Sequence, residues 1–210
     1  MTWDVFTGGF CQTNAYLLHE GGRTLLVDAP DDCAEWLRAL GVRVDALLLT
    51  HQHFDHVMDA AKIAADHGCP VVAWTQPTTD LWLNRMFSDL TGWALEIEPY
   101  EVTRVLEGPG RGCGETVEAA GVSFRLLHVP GHSPDSVCFH HEASANCFCG
   151  DTVFAAGIGR TDFPGGSAGQ LVAGIREKLF TLPPATVLLP GHGGTTTVED
   201  ERSGNPFLLE

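Results

Sequence analysis

Positive charge is scarce in this sequence: 12 Lys and Arg stand against 27 Asp and Glu, a formal net charge of −15 over 210 residues. A surface of that sign repels phosphate backbones and anionic lipid, so neither nucleic acid nor a membrane surface is expected as a partner. No uninterrupted apolar stretch approaches the ~18 residues of a membrane-crossing helix. The start, Met1-Thr2-Trp3-Asp4, lacks the basic residues and apolar core of a secretory leader. Cysteine occurs seven times, an odd number with no pairing framework. That disfavours a disulfide scaffold and fits a reducing, cytoplasmic setting. Most of these thiols are expected to be small buried hydrophobes. No internal repeat is visible by eye. The length suffices to bury a substantial core, and residues 1–210 are read as a single domain.

What the chain does have is a dense group of metal-capable side chains. The apolar run Ala46-Leu47-Leu48-Leu49 leads directly into Thr50-His51-Gln52-His53-Phe54-Asp55-His56. An unbroken apolar run suits a strand covered on both faces, so the cluster begins where a strand gives way to a loop. His51 and His53 are two apart and point to the same side of an extended segment. Asp55 and His56 then close the loop where the next helix starts. Three further strands run into a glycine beside a donor: Gly131-His132, Gly150-Asp151 and Gly191-His192. Glycine there lets the backbone turn sharply at a strand end. Five imidazoles and two carboxylates exceed what one ion needs. Two metals sharing one carboxylate, with exchangeable water, fit the number.

The remaining pattern supplies a scaffold. Segments 15–18 and 24–27 flank Glu20-Gly21-Gly22-Arg23 and read as a hairpin. Cys33, Trp36, Leu37 and Leu40 form one helical stripe ended by Gly41, and Val57, Ala60, Ala61 and Ala64 form a second ended by Gly68. Segment 70–73 is a short strand. Residues 77–93 carry Leu81, Trp82, Met86, Phe87, Leu90 and Trp93, a helix expected either to pack in the core or to wall the substrate. Gly108 to Gly114 make a loop. Strands follow at 116–119, 122–129, 136–140 and 146–149. Ser167 and Gln170 have the spacing of a capping box ahead of a helix, and 186–189 is a last strand. His19, His67, His128, His140 and His141 are expected at the surface or in the core, and Cys147 and Cys149 on one face of a sheet.

The 50–56 cluster followed by isolated His132, Asp151 and His192 resembles the metallo-β-lactamase fold superfamily. Gly159-Arg160-Thr161-Asp162-Phe163-Pro164, Pro190-Gly191-His192-Gly193, Glu201-Arg202 and Asn205-Pro206-Phe207 resemble its short glyoxalase II-like branch. The resemblance implies an α+β fold, a four-layer αββα sandwich with the site along one edge. It also implies that His51, His53 and His132 hold one divalent metal, that Asp55, His56 and His192 hold the other, and that Asp151 bridges them. Zinc is the first choice of ion, with iron or manganese also accepted. Asp28 matches a family aspartate that supports the ligands. The implied reaction is hydrolysis of a small-molecule ester or thioester by a hydroxide bridging the metals, with Asp55 also orienting the hydroxide or taking its proton.

The same resemblance brings an alternative. Persulfide dioxygenases share the fold and the Gly-Arg-Thr-Asp-Phe string and use a single iron, for which the equivalents are His51, His132 and Asp151. They usually carry Pro-Ala-His-Asp-Tyr at the last histidine, where this chain has Pro-Gly-His-Gly. Two departures stand near the cluster: Met58-Asp59, where small residues or glycine are common, and Asp135, where glycine is common. Long glyoxalase II enzymes add a helical domain that contacts glutathione. This sequence ends at residue 210, soon after His192, so glutathione specificity is not expected to be inherited.

Overall fold

A computed structural model describes residues 1–77, 88–89, 92 and 95–209. Two six-stranded mixed sheets lie face to face with helices outside each, the expected αββα layering. The first sheet runs in the order Thr2–Gly8, Thr13–Glu20, Arg23–Val27, Ala46–Leu48, Val71–Ala73, Arg104–Val105. Its first three strands are antiparallel and the rest continue in parallel. The second runs Thr196–Thr197, Val187–Pro190, Asn146–Gly150, Val137–His141, Val122–His128, Cys113–Ala119. It is antiparallel except where Asn146–Gly150 lies parallel to Val187–Pro190.

The double covering explains the apolar runs. Side chains alternate across a strand, so Leu18, Leu25 and Leu48 face the second sheet while Leu17, Leu26 and Leu47 face the outer helices. Phe124, Phe139 and Phe148 answer them from the second sheet. Gly21 and Gly22 both have positive φ and join Glu20 to Arg23 by a two-residue turn, the geometry that matches strand twist.

The helical stripes are partly corrected. On Cys33–Leu40 the side chains of Cys33 and Leu37 are buried, and Trp36 stacks on Phe6 at 5.2 Å. Leu40 is 48% exposed, outside the stripe. The second stripe is split between Phe54–Val57 and Ala60–His67, and Ile63 rather than Ala61 fills the core. Ser167 caps Ala168–Glu177 as its spacing predicts, accepting from the Gln170 N–H. The expected helix over 77–93 lies outside the described residues apart from Pro77, Ser88, Asp89 and Gly92. Among the described residues no helix is long and apolar enough to cross a membrane.

The strands deliver the donor-bearing turns to one edge, where the sheets are stitched by backbone bonds. Val137 N–H donates to Thr50 O at 2.8 Å and Asn14 N–H to Gly191 O at 2.7 Å, while Gly191 N–H donates to Gly150 O at 2.9 Å within the second sheet. Phe139, fully buried between the sheets, tests the core: Phe139→Ala should cost about 3–5 kcal/mol in urea unfolding.

Candidate metal centre

All seven predicted donors meet at that edge. Ligand atoms of His51, His53 and His132 lie within 4.8 Å of one another, as do those of Asp55, His56 and His192. A third group, His51, His56 and Asp151, sits between them. Asp151 faces both sides: its Oδ2 is 3.4 Å from His132 Nε2 and 3.4 Å from His192 Nε2, and its Oδ1 is 3.3 Å from His56 Nε2. This is the placement expected of a shared carboxylate.

The rings are aimed by their other nitrogens. His132 Nδ1 is 2.8 Å from Arg160 O, a carbonyl that can only accept, so Nδ1 carries the proton and Nε2 presents a lone pair. His56 Nδ1 lies 2.9 Å from Asp28 Oδ2, and His192 Nδ1 lies 3.4 Å from Gln12 O. Thr50 Oγ1 donates to Asp28 Oδ2 at 2.8 Å, so at its 3.2 Å contact it must accept from His51 Nδ1. Four imidazoles therefore turn Nε2 inward.

The inward atoms fit a cation. Nε2 of His51 and His132 face each other at 3.2 Å, a poor arrangement for two lone pairs unless something positive lies between. His56 Nε2 and Asp151 Oδ1 are buried and, although 3.3 Å apart, make no well-formed hydrogen bond among the described residues. Buried polar atoms are rarely left so, and two divalent ions held by these donors would satisfy them.

Electrostatics divides the two sets. Burial, then repulsion from neighbouring rings, holds His51 well below the usual imidazole range and His53 at about 3. Burial also lowers His132, against the pull of Asp151. These three rings are neutral at physiological pH. Burial opposes charge on His56 too, but Asp55, Asp151 and Asp28 outweigh it and hold it well above its ordinary value. For His192, hydrogen bonds to Asp151 and Asp55 overcome burial and raise it to about 10. Burial works to raise Asp55, yet His56 and the His192 and Thr13 hydrogen bonds bring it to about 2.

Close packing leaves little freedom. A Cβ on Gly191 would fall 2.3 Å from Asp151 Oδ1 and 2.6 Å from His56 Cε1, contacts no side chain tolerates. Thr13 Oγ1 donates to Asp55 Oδ2 at 2.7 Å. Gln52, between two donors, gives its amide to Asp135 Oδ2 at 3.2 Å and to Thr75 O at 3.2 Å, and accepts from Tyr100 at 2.9 Å. Sequence reasoning missed Thr13, Gln52, and the carbonyls of Gln12 and Arg160. The polar pair Thr13-Asn14 opening an apolar strand was a signal for the first; a backbone carbonyl leaves none. Cys147 and Cys149 lie on the outer face of the second sheet under helices, with thiols raised above the ordinary range.

Comparison with known proteins agrees with this geometry. Residues 8–192 match the family model of the Metallo-beta-lactamase superfamily. Hydroxyacylglutathione hydrolase GloC of Haemophilus influenzae is 33% identical, over 94% of this chain and 93% of that protein. The crystal structure of BLEG-1 B3 metallo-beta-lactamase is 32% identical with a TM-score of 0.87, covering 100% of both chains. That of TTHA1623 in a di-iron-bound form is 35% identical with a TM-score of 0.81, covering 98% of this chain and 100% of that one.

Protons and metals compete at the raised histidines, because a ligand must be deprotonated. Without metal His192 and His56 already hold protons at neutral pH, and a cation at the second position must displace them, ever less easily as pH falls, whereas His51, His53 and His132 stay neutral. Equilibrium dialysis against zinc should therefore show two ions per chain at about pH 8 falling towards one at about pH 5.5. Simultaneous loss of both would contradict the division.

Proposed function

The chain belongs to the metallo-β-lactamase superfamily as a metal-dependent hydrolase with a His/Asp dimetal site, and we propose that it cleaves thioesters of the hydroxyacylglutathione kind. The observation that carries the proposal is the pair of three-residue donor groups sharing Asp151. His51, His53 and His132 would hold one divalent ion, Asp55, His56 and His192 the other, and Asp151 both. Bound there, the ions would bring the pKa of a shared water towards ~7 and polarise the acyl carbonyl oxygen. Zinc comes first, with iron or manganese equally compatible with mixed His/Asp donors; the di-iron form of the similar protein TTHA1623 keeps iron in view.

The residues supply position and proton handling. Thr13 fixes one oxygen of Asp55 by its 2.7 Å hydrogen bond, which orients the carboxylate to hold the attacking water or take its proton. Asp28 keeps His56 aimed, and the Arg160 carbonyl keeps His132 aimed. A thiol leaving group has a pKa of ~8.5, so it departs as thiolate without a strong general acid. The thioester reading draws support from the relative named a hydroxyacylglutathione hydrolase, while the similarity to BLEG-1, named a B3 metallo-beta-lactamase, makes a β-lactam the comparison substrate.

Metal analysis of purified protein should be paired with three assays: S-lactoylglutathione hydrolysis, β-lactam hydrolysis, and oxygen uptake with glutathione persulfide. Two ions per chain and thioester hydrolysis are expected. One iron per chain, oxygen uptake and no hydrolysis would replace the proposal with a mononuclear dioxygenase. His56→Ala should remove one ion and lower hydrolysis by more than the ~10–100-fold typical of losing an outer partner. A mononuclear oxygenase on His51, His132 and Asp151 would keep appreciable turnover.

A further inference from the structure

A buried acid late in the chain reaches the metal centre through a hairpin. Glu201 is 3% exposed on the helix Val198–Gly204. Its Oε1 accepts from Thr196 Oγ1 at 2.6 Å. Its Oε2 accepts from the Ala156 N–H at 3.0 Å and from Asn205 Nδ2 at 2.7 Å. Asn205 is fully buried, and the same Nδ2 donates to Gly157 O at 2.9 Å. Ala155 and Ala156 form the tip of the hairpin that pairs Val153–Phe154 with Gly157–Ile158, and Gly157 opens its returning strand. Ala156 has φ +58°, a left-handed conformation unfavourable to a residue with a Cβ, so the tip depends on outside partners.

The arms of that hairpin end on the donors. Asp151 stands two residues before Val153, and Arg160 two residues after Ile158. The Arg160 carbonyl sets the tautomer of His132 at 2.8 Å. The Phe154 ring meets the His192 ring edge-on, with centroids 6.0 Å apart. Between the arms there is no slack, since a Cβ on Gly159 would lie 1.9 Å from Asp151 O and 3.0 Å from His132 Cβ. A shift at the tip is therefore passed to Asp151, His132 and His192.

We infer that Glu201, with Asn205, is a positioning residue for the metal centre: it fixes the 153–158 hairpin that sets the Asp151 carboxylate and the orientation of His132. The inference rests on the reading of the seven side chains as ligands. Carboxylate chemistry is what the position requires. Three donors converge on two oxygens; an amide there could keep its oxygen for the Ala156 N–H and Asn205, but its N–H would have to reverse the Thr196 bond and the negative charge would be lost. Glu201 and Asn205 are two of the residues in the strings by which the sequence resembles the glyoxalase II-like branch, and neither touches a donor directly.

The test uses chelator-stripped full-length protein titrated with Co(II), read by visible absorption, alongside thermal melting. Glu201→Gln is compared with wild type and with Val198→Ala, a core truncation on the same helix. Glu201→Gln should bind Co(II) ~10–100-fold more weakly at one site, with a shifted absorption band. Val198→Ala should melt lower yet keep wild-type affinity and band. Should Glu201→Gln not fold, Thr196→Val, which removes one of the three donors, must shift the band in the same direction. Wild-type affinity and band in the folded Glu201 or Thr196 variant overturn the positioning role alone. Failure of wild type itself to bind two ions overturns the ligand reading and this role together.

Discussion

The carboxylate of Asp28 is the joint on which the centre turns. It is buried at the end of Arg23–Val27, and three donors satisfy it: Thr50 N–H at 2.8 Å, Thr50 Oγ1 at 2.8 Å and His56 Nδ1 at 2.9 Å. A buried charge survives only with such partners. One anion thereby fixes two imidazoles, because Thr50, having given its proton to Asp28, can only accept from His51. Asp28 holds φ +61° while its N–H donates to Leu48 O at 2.9 Å. The strained turn is the local condition for bringing this carboxylate under the cluster that the neighbouring strand delivers. Strand pairing, tautomer and ligand direction are set together.

The donors were legible because their signals are local. His51, His53, Asp55 and His56 announce themselves by spacing, and His132, Asp151 and His192 by a glycine next door. That glycine has a measurable reason at Gly191, where any side chain would strike Asp151 and His56. The strands of the core were legible because both faces are covered, which writes a continuous apolar run. What escaped was whatever depends on distant partners. The strand Thr2–Gly8 is an edge strand with mostly exposed side chains, so it carries no apolar run. Leu40 fits a helical stripe by spacing, but as the helix's last residue, just before Gly41, it stands 48% exposed. The carbonyls that aim His132 and His192 belong to a backbone any sequence could supply.

Two departures from the family pattern acquire physical roles. Asp59 sends Oδ2 across to the Ala34 N–H at 2.9 Å, capping the helix Cys33–Leu40, and holds Lys62 by Oδ1 at 2.7 Å. Its side-chain bonds join two outer helices. Asp135 instead joins loops. One oxygen accepts from Ser133 Oγ and the other from Gln52, so the loop bearing His132 and the loop bearing His51 and His53 are tied across the site. With Tyr100 donating to Gln52 from a third segment, the loop bearing His51 and His53 is held by side chains, while the Arg160 carbonyl aims His132. In the second set Asp28 and Thr13 hold His56 and Asp55 by side chains, and only His192 leans on a carbonyl, that of Gln12.

Both sets are held in mixed fashion, and what separates them is charge. The first set is three imidazoles that burial keeps neutral, ready for a cation at any ordinary pH. The second gathers around Asp55 and Asp151 in a protein already carrying −15, and protons on His56 and His192 offset the carboxylates. A cation entering there displaces protons and takes over their electrostatic work. It also cross-links the halves of the sandwich, since Asp55 and His56 come from the first sheet's side and Asp151 and His192 from the second's. Free energy of metal binding at such a seam is free energy of folding. The same charge that makes the second position proton-sensitive therefore makes its occupant part of what holds the two sheets in register.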